Sequence, residues 1–150
     1  MKQSPKKILV INTGRLWDGK AFSMLKRILF RKYGQFELKQ IHCRMQVNWL
    51  IANEDEFVRR KLWAVDNYIN EGYEVHLIPH ATSAMTAHVV SFLTGKLGKA
   101  PKMILVRRFQ DEPDSEAYYG PARIMDLERT RQKGIGRKEN GNAPTKNGGV

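Results

Sequence analysis

The sequence predicts an α/β fold, a Rossmann-like three-layer sandwich with a mainly parallel sheet of about five strands. Short apolar runs, typical of buried strands, alternate along the chain with segments in which apolar residues recur every three or four positions. The connections between these segments are short. The chain has 150 residues and is 41% hydrophobic, which is enough for one compact core. We therefore expect one domain with helices on both faces of its sheet.

The first half of the chain alternates between strand and helix patterns. The continuous apolar run at 6–12 predicts a strand buried on both faces. An amphipathic helix is predicted over 20–33, ending at Gly34, and a half-exposed strand over 36–43. One long helix that closes at Gly72 is then indicated by the apolar residues Val58, Leu62, Val65 and Ile69.

The second half continues the alternation. The predicted elements are a strand, a helix, a strand, a loop and a last short strand or helix start, over 73–79, 84–94, 103–106, 110–121 and 122–127. Thr82 or Ser83 is expected to cap the helix. Buried strands joined by short connections imply parallel pairing and right-handed crossovers.

The chain is predicted to divide into a folded part and a tail. Residues 1–128 are expected to form the Rossmann-like ligand-binding domain, and 129–150 a basic, glycine- and asparagine-rich flexible tail. The tail carries six basic residues and one acid, and its last part has too few apolar side chains to form a core. It therefore accounts for about half of the net charge without informing on the fold.

The remaining positive charge indicates an anionic partner. The net charge is +11 and the isoelectric point is near 10.0. Residues 1–32 hold nine basic residues and one acid, so positive charge is concentrated around the first strand and helix. Such a surplus favours a nucleotide, a nucleic acid or an anionic surface as ligand. Its place beside the first loop favours a compact phosphate ligand over a long polynucleotide.

Composition also bears on location. Cys43 is the single cysteine, so an intrachain disulfide and a cysteine-based zinc cluster are excluded. No apolar run approaches the roughly 20 residues that a bilayer requires. We expect a soluble, cytoplasmic protein that does not bind a membrane.

Two loops are predicted to form the ligand site. In an open α/β sheet, ligands bind at the carboxyl ends of the strands where the winding reverses. If the first and third strands are neighbours, 12–15 and 79–83 meet there, each before a helix whose positive N-terminus attracts anions. The candidate ligand-binding residues are Asn12, Thr13, Gly14, Arg15, Trp17, Lys20, Pro79, His80, Ala81, Thr82, Ser83 and Arg107. In the alternative interpretation, Thr82 and Ser83 only cap a helix and Gly14 only turns the chain.

Several other chemistries lack their residues. The sequence has neither G-x-x-x-x-G-K-[ST] nor G-x-G-x-x-G after the first strand, so a P-loop and an ordinary dinucleotide site are not expected. The ends of the first and third strands carry no acids, and His76 and His80 straddle a strand end. We therefore predict no metal site and no cofactor.

One stretch of the chain carries a family resemblance. Residues 77–108 (LIPHATSAMTAHVVSFLTGKLGKAPKMILVRR) contain a strand, a proline and small-residue loop, a helix ending in Gly-x-x-Gly-x-x-Pro, and a strand with arginine. Residues 122–131 (ARIMDLERTR) add a hydrophobic-Asp-Leu segment. This pattern resembles small CRISPR-associated Rossmann-fold (CARF-like) proteins of type III systems. The first loop, the long second helix and the basic tail depart from it.

The resemblance implies a ligand and a reaction. Members of that family bind cyclic oligoadenylate in type III CRISPR antiviral defence, and either sequester it or cleave it as metal-independent ring nucleases. Cyclic tetra-adenylate is the expected ring, and its symmetry suits a homodimer or a higher homo-oligomer. In cleavage the ribose 2′-OH would attack the phosphate, with His80 as acid or base and Ser83 or Thr82 as a positioning group. The developing charge would be stabilised by Arg15, Lys20 or Arg107.

Two further hypotheses compete with this one. A basic RNA- or DNA-binding module would use the first helix and the C-terminal tail, and would show strongly salt-dependent binding. A flavin- or nucleotide-binding domain of the flavodoxin type would use the Asn12–Thr13–Gly14 turn. The first loop lacks the hydroxyl-rich sequence that a flavin phosphate prefers.

Overall fold

Strands and helices alternate along most of the computed structural model, which describes residues 4–45 and 54–140. The elements are β1 (Lys6–Asn12), α1 (Gly19–Tyr33), β2 (Phe36–His42), α2 (Glu54–Lys61), α3 (Val65–Asn70), β3 (Glu74–Ile78), α4 (Ser83–Leu97), β4 (Lys102–Phe109), β5 (Tyr118–Asp126) and α5 (Leu127–Asn140). The predicted α/β class is confirmed. No helix in these two ranges has the length and apolar character needed to cross a bilayer.

The sheet has five strands in the order β2-β1-β3-β4-β5. The first four strands run parallel, and β5 pairs antiparallel with β4. The predicted mainly parallel sheet is therefore confirmed, with one antiparallel edge. The β4–β5 pairing shifts register between Leu105 and Val106, which face Arg123 and Pro121, so Ala122 is the extra residue of a bulge.

Buried side chains form two clusters that share strand β1. In β1, Leu9 and Ile11 belong to a cluster with residues of α2, α3 and α4. Ile8 and Val10 belong to a second cluster with Leu25 and Leu29 of α1. All four β1 side chains are at most 1% exposed, because the strand lies between β2 and β3 and is covered on both faces.

The long helix expected before β3 is two helices. The Val65 N–H donates to the Leu62 carbonyl at 3.1 Å, a three-residue spacing that tightens the chain between α2 and α3. Leu62 and Val65 are both fully buried, whereas Trp63 is 70% exposed. The prediction of one long helix was therefore wrong. The apolar pattern is continuous across both helices because α2 and α3 bury their side chains in the same cluster.

The C-terminal segment also differs from the prediction. The predicted loop over 110–121 ends early, since β5 begins at Tyr118. Helix α5 spans Leu127–Asn140 and so includes the first part of the predicted tail, 129–150. The Asp126 carboxylate accepts the Arg129 N–H at 3.0 Å and holds the first turn of α5. Glu128 accepts from Arg131 within the helix and from the Ala100 N–H at 2.8 Å. The rest of the predicted tail, 141–150, lies outside the described residues.

A polar cluster is buried beside the amino ends of the strands. His76 of β3 has no exposed surface, and its Nε2 lies 2.9 Å from the Tyr33 hydroxyl. The same hydroxyl donates to Glu74 at 3.2 Å, and Glu74 pairs with Lys6 at 2.6 Å. Burial lowers the pKa of His76 to about 4 and raises the pKa of Tyr33. The imidazole is therefore neutral near pH 7.

Candidate functional site

A cleft of about 390 Å³ lies where the loops after β1, β2 and β3 meet. Because β1 lies between β2 and β3, the predicted adjacency of the first and third strands is confirmed. The helices that follow these two strands belong to opposite core clusters, so the winding direction reverses here. The lining residues are Thr13, Gly14, Arg15, Leu16, His42, Arg44, Met45, His80 and Ala81.

The first loop is held by its own polar side chains. The Asn12 Oδ1 accepts the Gly14 N–H at 2.9 Å, and the Asn12 Nδ2 donates to the Arg15 carbonyl at 2.8 Å. Thr13 donates its N–H and its hydroxyl to the carbonyl of Ile78 in β3, at 3.2 and 2.8 Å. Asn12 and Thr13 therefore fix the loop against β3, and their polar atoms are used within the protein.

The two predicted loops approach each other most closely at Gly14. A Cβ atom at this position would lie 2.8 Å from the Pro79 carbonyl oxygen. This distance is shorter than the contacts that Cβ atoms make in proteins. His42 Nε2 donates to the Gly14 carbonyl at 3.1 Å, which ties the end of β2 to the same loop. Glycine is needed here because backbone from the second loop occupies the space of a side chain.

His80 is engaged at both ring nitrogens. Its Nε2 donates to the Met45 carbonyl at 2.7 Å, and its Nδ1 accepts the Thr82 N–H at 2.9 Å. These bonds place the ring proton on Nε2 and join the loops that follow β2 and β3. In this arrangement neither nitrogen is available to exchange a proton with a ligand, although the ring lines the cleft.

The two helix N-termini near the cleft are not equivalent. Thr82 occupies the cap position of α4, as expected, but its side chain makes no capping hydrogen bond. At α1 the carboxylate of Asp18 accepts the Ala21 N–H at 2.9 Å. The protein therefore supplies its own anion at the start of α1, and the expectation that both N-termini attract a ligand fails there.

Fixed positive charge reaches the cleft from two exposed arginines. Arg15 and Arg44 both line it, and no acidic side chain is among its described lining residues. The Arg15 guanidinium also lies 5.7 Å from the centre of the Tyr119 ring. A cleft with cationic walls favours a compact anion.

Three predicted ligand residues lie elsewhere. Trp17 packs edge-on against Phe22, with ring centres 5.8 Å apart, in the cluster under α1. Lys20 forms an ion pair with Asp111. Arg107 lines a separate groove beside α1. The structure does not bring these three residues to the cleft: Trp17 packs on α1, Lys20 is held by Asp111 of the β4–β5 connection, and Arg107 lies in the groove beside α1.

The remaining predicted residues surround the cleft. Thr13, Gly14, Arg15, His80 and Ala81 line it, with Asn12 and Pro79 directly behind. Thr82 and Ser83 form the start of α4 and are not among the lining residues. Sequence reasoning missed His42, Arg44 and Met45. These three residues could have been found from the strand order. A strand that pairs parallel with β1 ends at the same edge of the sheet, so the residues at the end of β2 reach the cleft.

Neither a metal site nor a known relative assigns a function to the cleft. Within 4–45 and 54–140, no group of three or more histidine, cysteine, aspartate or glutamate side chains is placed to hold a metal ion. Comparison with models of protein families, with curated proteins and with solved structures finds no match. The function is therefore argued from the cleft itself.

Proposed function

We propose that the cleft binds a phosphate-bearing nucleotide ligand, and that this ligand is cyclic oligoadenylate. The observation that carries the proposal is the combination of Arg15 and Arg44 with an acid-free lining, beside a helix α4 whose cap side chain is unused. The class of ligand comes from the resemblance to CARF-like proteins. The architecture that we infer for the described elements is a Rossmann-like three-layer sandwich.

The size of the cleft bears on how a ring would bind. Its volume of about 390 Å³ is near the lower end of the roughly 300–1,000 Å³ range of small-molecule sites. Such a cleft holds a nucleotide unit rather than a whole cyclic oligomer. We therefore propose that two copies of the chain, related by a two-fold axis, each bind part of the ring.

We further propose that the ring is sequestered. Cleavage by the ribose 2′-OH needs a base with a free acceptor atom beside the attacking group. His80 uses both nitrogens within the protein, and Ser83 is not part of the lining. A linear product in the recovered nucleotide would favour ring cleavage instead.

The direct test is calorimetric titration of the full chain with cyclic tetra-adenylate, followed by chromatography of the recovered nucleotide. We expect saturable binding with one ring per two chains, and recovery of the intact ring. Titration with adenosine monophosphate should show weaker binding, because a single nucleotide reaches one cleft. Absence of heat and of ring retention would refute the proposed ligand.

Replacement of Arg44 by glutamine should weaken binding of the ring about tenfold, which corresponds to about 1.4 kcal/mol. The change removes one charged hydrogen-bond donor from the cleft and leaves its backbone unaltered. Arg60→Gln is the matched control, because Arg60 is an exposed arginine of α2 outside the cleft. Equal dissociation constants for the two variants would argue against this cleft as the binding site.

A further inference from the structure

A second groove, of about 310 Å³, runs between α1 and the β4–β5 hairpin. Three of its lining residues are arginines, Arg27 and Arg31 from α1 and Arg107 from β4, and none is acidic. It shares no lining residue with the cleft after β1, β2 and β3. Any ligand of this groove is therefore additional to the one proposed above.

The three arginines lack carboxylate partners within the described residues. Some surface cations are paired, such as Lys20 with Asp111, Arg59 with Glu56 and Arg131 with Glu128. Arg27, Arg31 and Arg107 are exposed and form no such pair with any side chain that the structure describes, in 4–45 and 56–136. Like charges four residues apart on a helix also destabilise it by a few tenths of a kcal/mol. The protein thus maintains a concentrated positive charge that its described acids do not offset.

An aromatic surface adjoins this charge. The Arg107 guanidinium lies 4.9 Å from the centre of the Phe109 ring, and Phe109 stacks on Tyr118 with ring centres 5.6 Å apart and planes 18° apart. Guanidinium groups match the geometry of phosphate oxygens, and flat rings accept unpaired bases. The combination is typical of surfaces that bind single-stranded nucleic acid.

We propose that this groove binds the phosphodiester backbone of a single-stranded nucleic acid. Arg27 and Arg31, one turn apart on α1, contact successive phosphates, and Arg107 contacts the strand from the opposite wall. Phe109, the aromatic side chain of the lining, supports a base at the end of the groove, whereas the Tyr118 ring stacks on Phe109 and carries the Lys20 ammonium 4.4 Å from its centre. A duplex offers the same phosphates but keeps its bases stacked inside, so it cannot use the Phe109 ring.

The test is fluorescence anisotropy with a labelled single-stranded RNA and with a duplex of the same length, using the full chain between about 50 and 200 mM salt. We expect Arg27→Gln/Arg31→Gln to weaken single-strand binding about tenfold and to reduce the salt slope by about 1.4, since each lost contact removes about 0.7. The matched control is Lys26→Gln/Lys32→Gln, which removes the same charge from α1 outside the groove. This control should bind within about twofold of the unmodified chain.

Several outcomes would overturn the proposal. They are equal loss of affinity in the two double variants, no loss in Arg27→Gln/Arg31→Gln, no binding of single strands by the unmodified chain, or tighter binding of the duplex. Thermal unfolding of each variant checks the fold, and Arg107→Gln against its neighbour Arg108→Gln repeats the test on β4. Titration with cyclic tetra-adenylate should be unaffected by Arg27→Gln/Arg31→Gln, which separates this groove from the cleft.

Discussion

Replacement of Gly14 by alanine is expected to lower the free energy of unfolding by about 2 kcal/mol. The new Cβ atom would lie 2.8 Å from the Pro79 carbonyl oxygen, so the loops after β1 and β3 must separate. That separation strains the bonds from Thr13 to Ile78, which hold the two strand ends together. Urea unfolding followed by circular dichroism measures the effect.

The matched control is Gly19→Ala. Gly19 is the first residue of α1, and a Cβ atom there meets no other atom within 4 Å. Alanine at this site should leave the stability unchanged or raise it by a few tenths of a kcal/mol, because it restricts the unfolded chain. A Gly14→Ala protein as stable as Gly19→Ala would show that the close approach of the two loops is not required.

Acidification from about pH 7 to about pH 5 is expected to lower the free energy of unfolding by about 2 kcal/mol through His76. The ordinary pKa of a histidine side chain is about 6.5, and burial lowers the pKa of His76 to about 4 in the fold. The unfolded chain therefore binds a proton at a higher pH than the native protein does. The stabilisation that depends on neutral His76 is fully present above the pKa of the unfolded chain, 6.5, and is lost as the pH falls from 6.5 towards 4.

Neighbouring charges must be separated from this effect. Burial raises the pKa of Glu74, but its hydrogen bond to Lys6 and nearby positive charge outweigh burial, so the pKa is lowered on balance. Glu74 thus also loses stabilisation on acidification. His76→Gln removes only the imidazole, and its unfolding free energy should fall less between these pH values than that of the unmodified chain. An unchanged pH dependence would contradict the assignment to His76.

The central elements of the fold could be predicted because their signals are local. The predicted strand 6–12 coincides with β1, since a strand covered on both faces has an unbroken apolar run. α1 ends before Gly34, as expected, and that glycine has a φ of 74°. Each of these features depends on residues that are adjacent in sequence.

Other features depend on contacts between distant residues. The ion pair between Lys20 and Asp111 joins residues from opposite parts of the chain, and it removes Lys20 from the predicted site. Asp111 lies in the loop that the sequence predicted over 110–121. The sequence did not show that this loop lies beside α1. The contributions of Arg44 and Met45 to the cleft likewise follow from strand order and not from any local motif.

The order of the strands also has a consequence for folding during synthesis. β1 is made before the other strands of this sheet, yet its Ile8–Asn12 segment pairs on one side with Glu74–Ile78 of β3, more than 60 residues later. Until β3 and α4 emerge, β1 has an unpaired edge, and its Leu9 and Ile11 face lacks the side chains of α4 that cover it, which are features that promote aggregation. By contrast, β4 and β5 are neighbours in sequence and can pair without delay. Among the strands of this sheet, β1 is therefore the one that waits longest for both of its neighbours, and its open edge is exposed to misassembly in that interval.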